Sequence, residues 1–337
     1  MNDDFQIPSL RNKNEDYLKV VDSKWYSLIL KICDEINHCT HSFFRDQGIK
    51  SVFLPITTGS ISSPIGLSSD SLPVGIEIAG IKTYLADSMQ FLLEYSCRLT
   101  EKGTYYIMPS FRGEQLDERH LNQFFHSEAE IKGELSDVIT LVENYLKFLT
   151  TKLIEKMSDD IIPFSKSIDH MKKMVSLKSF PTISFEQALK LLYETEGAIK
   201  YREGYAFITN IGEKKLIEMH GGFVWVTHFK RLTVPFYQAS CGMDSSNALC
   251  ADLLFGIGEV VGAGERCLTG RDVCDSISSQ GLDSNPYEWY IKMKDKYPIQ
   301  TSGFGMGVER FLLWVLNHND IRDTQLILRV NGEVQPL

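Results

Sequence analysis

Gly303-Phe304-Gly305-Met306-Gly307-Val308-Glu309-Arg310, followed by the apolar run Phe311-Leu312-Leu313-Trp314-Val315-Leu316, is the stretch on which the fold turns. Glycine lets a backbone pass close to a ligand and take conformations that other residues resist. Here three alternate glycines line a strand that feeds a helix, and the helix presents one Arg near its start. That arrangement suits a nucleoside triphosphate. The base or ribose lies flat on the strand at Gly305 and Gly307, and the Arg310 guanidinium meets phosphate or stacks on the base. A purely structural strand-to-helix turn is the competing reading of this stretch alone.

A second stretch reads as strand, polar loop, strand: Phe111-Arg112-Gly113-Glu114, then Arg119-His120-Leu121-Asn122-Gln123-Phe124, continuing into Glu128-Ala129-Glu130-Ile131. The two-residue repeat of a strand puts Glu128 and Glu130 on one face. Arg112 and Glu114 taken alone could be a surface ion pair. With Arg310 downstream they read as parts of one site.

Together these residues resemble motifs 2 and 3 of the class II aminoacyl-tRNA synthetases, in the aspartyl/asparaginyl branch. Motif 2 there has the form F-R-x-E, then R-H-L-x-E-F, and motif 3 the form G-F-G-x-G-x-E-R. A weaker motif 1 is read from Phe43-Phe44-Arg45-Asp46-Gln47-Gly48 to Pro55. The block from Asp252-Leu253-Leu254 through Gly258-Glu259-Val260-Val261-Gly262-Ala263-Gly264-Glu265-Arg266 is similar to a fourth element, G-E-I-x-G-G-x-x-R. The resemblance spans positions 25–329. It implies an α+β fold, a six-stranded antiparallel sheet flanked by helices.

The family also implies roles. Arg112 binds the α-phosphate and the substrate carboxylate, which a fixed guanidinium does bidentately. Glu114 accepts from the adenine amine, Phe124 stacks on one face of the base, and Arg310 covers the other while reaching the γ-phosphate. His120 touches the β/γ end. Glu259 binds Mg²⁺, since hard cations prefer carboxylate oxygen. Arg266 contacts the side chain of an aspartate or asparagine substrate, and Ser88 and Gln90 hold the amino-acid end. Glu128 and Glu130 are candidates for the substrate ammonium. Arg112 and Arg310 are the expected catalytic residues, and ATP and Mg²⁺ the expected cofactors.

The chain has 337 residues and a net charge of −9, from 35 Lys and Arg against 44 Asp and Glu. Polyanion binders usually carry a basic face, and no run of Lys and Arg interleaved with aromatics occurs. The seven cysteines show no C-x-x-C, which suits a reducing compartment. No apolar stretch approaches membrane-spanning length, and no leader is evident. A cytoplasmic protein is expected. Positions 1–20 read as an extension and 21–337 as one catalytic domain, with no room for the anticodon-binding barrel of the tRNA ligases.

Hydrophobic periodicity predicts helices over 25–47, 88–99 and 137–157. Others open at the capping box Ser184-Phe185-Glu186-Gln187, ended by Gly197, and at Asn285-Pro286. Strands are predicted over 52–55, 105–114, 120–131, 223–229 and 234–237, with a hairpin about Ala79-Gly80-Ile81. The apolar stripe of Trp25, Leu28, Ile29, Ile32 and Ile36 reads as the seam of a homodimer.

The sequence departs from the synthetases at Gln300-Thr301, at Gln123 and at Leu326-Ile327-Leu328-Arg329. The segments Leu54-Pro55 to Ser62-Ser63-Pro64-Ile65 and Leu85-Ala86-Asp87-Ser88-Met89 are more similar to the archaeal-type asparagine synthetases of the same branch, which lack the barrel. The expected function is therefore adenylation of aspartate or a related acid and transfer to ammonia or a small amine, with no tRNA. A tRNA ligase without the barrel, or a non-catalytic paralogue, are the alternatives.

Overall fold

A computed structural model describes residues 17–332, apart from 65, 68, 70 and 243–245. The extension read over 1–20 lies outside the described residues up to position 16, as does Ile65. Eight strands form the main sheet: β1 (Lys50–Ser51), β2 (Gly103–Phe111), β3 (Gln123–Lys132), β4 (Thr182–Ser184), β5 (Val224–Thr227), β6 (Cys250–Phe255), β7 (Gly258–Glu265) and β8 (Thr301–Gly307). Their spatial order is β1-β2-β3-β8-β7-β6-β5-β4. The six inner strands pair antiparallel throughout, as expected. The sheet is wider than expected because β1 and β4 each add a parallel edge. Both edges arrive by long crossovers, which parallel pairing requires.

The two-residue repeat sorts the diagnostic run on β8. Phe304 and Met306 are 3% and 0% exposed and point into the main core. Gly303 and Gly305 pair with Glu130 and Glu128 of β3 and lie on the opposite face. The three glycines differ in purpose. A Cβ at Gly303 would collide with the Glu130 carboxylate and stand 2.7 Å from the Ala129 carbonyl, so packing alone demands glycine there. A Cβ at Gly307 would meet nothing nearer than Arg310 at 3.7 Å. Gly303→Ala is expected to lower the thermal midpoint through overpacking of about 1–3 kcal/mol. Calorimetry checks this, and an unchanged midpoint would refute the packing account.

The core face is covered by the helices Lys24–Asp46 and Leu135–Ser165. Ser23 caps the first by accepting from the Tyr26 amide, and Gly48 ends it at φ +76°. Trp25, Leu28, Ile29, Ile32 and Ile36 are all at most 4% exposed within the single chain. The stripe read as a dimer seam is thus covered by the protein's own sheet and second long helix, and it does not point to a partner.

Several local readings shift. The strand placed at 52–55 is β1 instead, and Phe53 is fully exposed. No strand forms at 234–237, which follows a 3₁₀ turn at Arg231–Thr233; Pro235 has no amide to donate to a ladder. The hairpin turn is Ala79-Gly80, both at positive φ, with Ile81 already in its strand. β2 stops at Phe111, so Arg112 to Glu114 leave the sheet. Helix Phe185–Leu192 keeps its capping box but ends before Gly197. With helix Asn210–Met219 and the hairpin Ile199–Arg202 with Tyr205–Ile208, it builds a satellite core on β5.

Candidate active site

Two cavities open on the glycine face of the sheet. The smaller, about 120 Å³, is lined by Glu114, His120, Phe124, Gly307 and Arg310 among others. The larger, about 410 Å³, is lined by Asp87, Ser88, Gln90, Glu128 and Arg266 at its charged side. Arg112, His126, Glu259 and Gly305 line both. Glu130 apart, the residues read as nucleotide-binding and as substrate-binding therefore fall into two compartments that meet at Arg112.

In the smaller cavity the segment after β2 is pinned by its backbone. The Arg112 amide donates to the Asn122 carbonyl at 2.9 Å, the Gly113 amide to Leu72 at 2.7 Å, and Asn122 Nδ2 to the carbonyls of Arg112 and Glu114. Arg112 lies over the Phe124 ring at 5.5 Å. Arg112 Nε, Arg119 Nε and Glu114 Oε2 are buried without a hydrogen-bond partner. Buried polar atoms are ordinarily paired, and these three belong to residues that line one cavity, which suits a polar ligand there. Burial works against the charge of Arg310, and Arg119 and Arg112 add to that, so its pKa is lowered even with Glu259 close by. Three guanidinium groups around one small cavity are repaid by a polyphosphate. His120 sits at the rim, its ring paired with Asp117 at 2.9 Å and half exposed.

On the charged side of the larger cavity the two acids of β3 part company. Glu130 is 1% exposed and holds Arg266, itself 4% exposed, through two bonds of 2.9 and 3.0 Å. Burial opposes the charge on Arg266, but Glu130 holds its pKa above the ordinary arginine value. Glu130 is thereby committed to Arg266 and is not the ammonium site expected of it. Arg266 keeps Nη1 on Gln238 at 3.1 Å and stacks its guanidinium on Tyr237. Glu128 lines the cavity and takes hydrogen bonds from Ser88 Oγ at 2.7 Å and from the Tyr106 hydroxyl. Burial opposes its charge too, yet His126, Tyr106 and Ser88 keep its pKa below the ordinary glutamate value. Asp87 accepts from the amides of Ser62, Ser63 and Ser88 and ties the 62–63 loop to this wall. The Gln90 amide donates to Ser88 Oγ at 3.2 Å.

Sequence reasoning missed Asp252, which belongs with Glu259. β6 and β7 form a hairpin, and a Cβ at Gly262 would stand 3.1 Å from a Glu259 oxygen and 3.8 Å from one of Asp252. Burial, then Glu259, then Glu213 push the Asp252 carboxyl well above its usual range. Such a close pair of acids, Asp252 and Glu259, favours a nearby cation. It suits Mg²⁺, which is usually held by one or two carboxylates plus substrate phosphates rather than by a closed protein cage. Among the described residues no three-ligand protein cage occurs. Arg119, paired with Glu213 at 2.7 Å, and Asp87 were likewise not singled out.

The fold and site define a member of the class II tRNA synthetases: the chain belongs to the family described as tRNA synthetases class II (D, K and N), matched over residues 9–329. It is 26% identical over 323 residues to the asparagine–tRNA ligase of Koribacter versatilis, covering 94% of this chain and 71% of that one. It is 30% identical over 270 residues to a probable cytoplasmic asparagine–tRNA ligase of Encephalitozoon cuniculi, covering 77% of this chain and 59% of that one. The asparaginyl-tRNA synthetase from Pyrococcus horikoshii complexed with asparaginyl-adenylate superposes with a TM-score of 0.87 at 24% identity, over 99% of this chain and 76% of that one. These likenesses place the chain in the aspartyl/asparaginyl branch of an ATP-dependent ligase family, and the structural one carries the fold alone. No helix among the described residues is long and apolar enough to cross a membrane.

Proposed function

We propose that the chain is an AMP-forming ligase that activates asparagine or aspartate as its adenylate and passes the acyl group to an acceptor. The observation that carries this is the junction of the two cavities at Arg112, where a carboxylate from one side can meet a phosphate from the other. A carboxylate oxygen attacks the α-phosphorus, and pyrophosphate leaves with the electron pair of the broken P–O bond. Arg112 holds both reacting anions in line and stabilises the charge that develops between them. Glu114 and Phe124 fix the base, and Arg119 and Arg310 hold the outer phosphates. Asp252 and Glu259 would hold Mg²⁺, which neutralises phosphate charge.

At the far end, Arg266 donates and Glu128 accepts. A side-chain amide offers an acceptor oxygen at one end and a donor NH2 at the other, whereas a carboxylate offers acceptors only. Within the sequence expectation of aspartate or a related acid, this supports asparagine. The names of the relatives support the 3′ end of a tRNA as acceptor. Ammonia or a small amine is the second reading, favoured by the net charge of −9.

ATP–pyrophosphate exchange across a panel of amino acids tests the activation step. Exchange is expected with asparagine or aspartate, to stop on adding EDTA and to return with Mg²⁺. Exchange that persists in EDTA would remove the metal role from Asp252 and Glu259. A homodimer belongs to the same reading, through the exposed Phe53 and Pro55 after β1 rather than the buried helix stripe. Light scattering is expected to give twice the chain mass at micromolar concentration, and a single chain mass would refute it.

A further inference from the structure

The larger cavity has a second wall that the chemistry above leaves unused. Ala206, Phe207 and Ile208 of the hairpin, with Val226 and Phe229, present an apolar surface to it. Phe229 is braced by Phe185 at 4.9 Å between ring centres, and the wall is the open edge of the satellite core. It lies close to the chemistry. Val226 is the direct cross-strand partner of Asp252, so the wall begins about one strand spacing, ~5 Å, from the acids beside the cavity junction.

The charges around it are selective. Among the described residues, Arg112 and Arg266 are the only lysines or arginines that line this cavity. Arg112 stands at the junction, and the charge of Arg266 is already balanced by Glu130. Lys230, next to Phe229 in the chain, is tied to Glu186 at 2.9 Å. An RNA end brings phosphates that need cations; Lys200 is the cross-strand partner of Phe207 in the hairpin, but on the cavity side the wall adjoins the acids Glu213, Asp252 and Glu259. Ala206, Phe207, Ile208 and Phe229 are half-buried over the fully buried Val226, and apolar side chains lining a cavity are favourable partners for an apolar ligand.

We propose that this wall is the acceptor subsite and that it takes a primary amine carried on an apolar body, aromatic or branched aliphatic. The inference rests on the activation reading above and gives its second acceptor class a chemical identity. The neutral amine nitrogen attacks the acyl carbon of the adenylate. A C–N bond forms, the C–O bond to phosphate breaks, AMP leaves with that electron pair, and one amine proton passes to water.

The test supplies the protein with ATP, Mg²⁺ and asparagine or aspartate. Phenethylamine, isopentylamine and ammonia are then compared as acceptors by product mass. Amide from either apolar amine is expected with a kcat/KM at least about tenfold that of ammonia. Phe207→Asp should bring that ratio near one, and Phe207→Leu should keep most of it. Three outcomes overturn the subsite while leaving activation standing: no amide although pyrophosphate exchange proceeds, a wild-type ratio near one, or a ratio indifferent to Phe207→Asp. Charging of tRNA that is equally indifferent to Phe207→Asp overturns it too. Absence of exchange with every amino acid overturns activation and the subsite together.

Discussion

Arg112→Ala is expected to lower ATP–pyrophosphate exchange by about two to three orders of magnitude, the usual loss when one preorganised charged contact to a transition state is removed. The side chain stands where the two cavities meet, with Nε buried and unpartnered and its guanidinium laid over Phe124. Among the described residues, no hydrogen bond from that side chain holds a secondary-structure element in place. Its backbone bonds to Asn122 survive the substitution. Circular dichroism and the thermal midpoint should therefore stay near wild type while exchange collapses. A large loss of stability accompanying the loss of exchange would show that Arg112 is a structural residue.

Arg266→Leu is expected to do both kinds of damage. It removes the donor at the side-chain end of the amino acid, which should raise the amino-acid KM strongly and leave ATP binding intact. It also strands Glu130, 1% exposed and held by two bonds to Arg266. Breaking a buried ion pair by removing one partner costs about 3–5 kcal/mol. The combination Arg266→Leu with Glu130→Leu should recover much of the lost stability, because neither charge is then left unpaired, while the raised KM persists. Measured midpoints of the two single variants and the double variant give the coupling directly. Additive effects would mean that the pair is not energetically linked in solution.

The sequence made the sheet legible through β8. Alternation of Phe304 and Met306 with glycines is a two-residue repeat, and its two faces are core and cavity. The motif 2 residues were legible because Arg112, Glu114 and Phe124 sit at fixed spacing around one turn. The packing role of Gly303 was not legible, since a sequence does not show that Glu130 and Arg266, 136 positions apart in the chain, meet above it. Asp252 was passed over because one acid in the apolar strand Cys250–Phe255 carries no signal alone. The hairpin pairing of β6 with β7 around Gly256 and Gly258 would have supplied that signal, as it brings Asp252 and Glu259 to one end of the sheet. The Trp25 to Ile36 stripe shows the reverse error. Apolar periodicity reports that a helix face is buried, not by what. The apolar wall at Phe207 was not legible, because it depends on where a short surface hairpin folds back over the sheet.

The central claim is that two compartments meeting at Arg112 join a carboxylate to the α-phosphorus of ATP. The most direct measurement is identification of the nucleotide products by chromatography when the protein is incubated with ATP, Mg²⁺ and asparagine or aspartate, with acceptor present to pull the reaction forward. AMP and pyrophosphate in equal amounts are expected, dependent on the amino acid and abolished in Arg112→Ala. Formation of ADP and phosphate would contradict it.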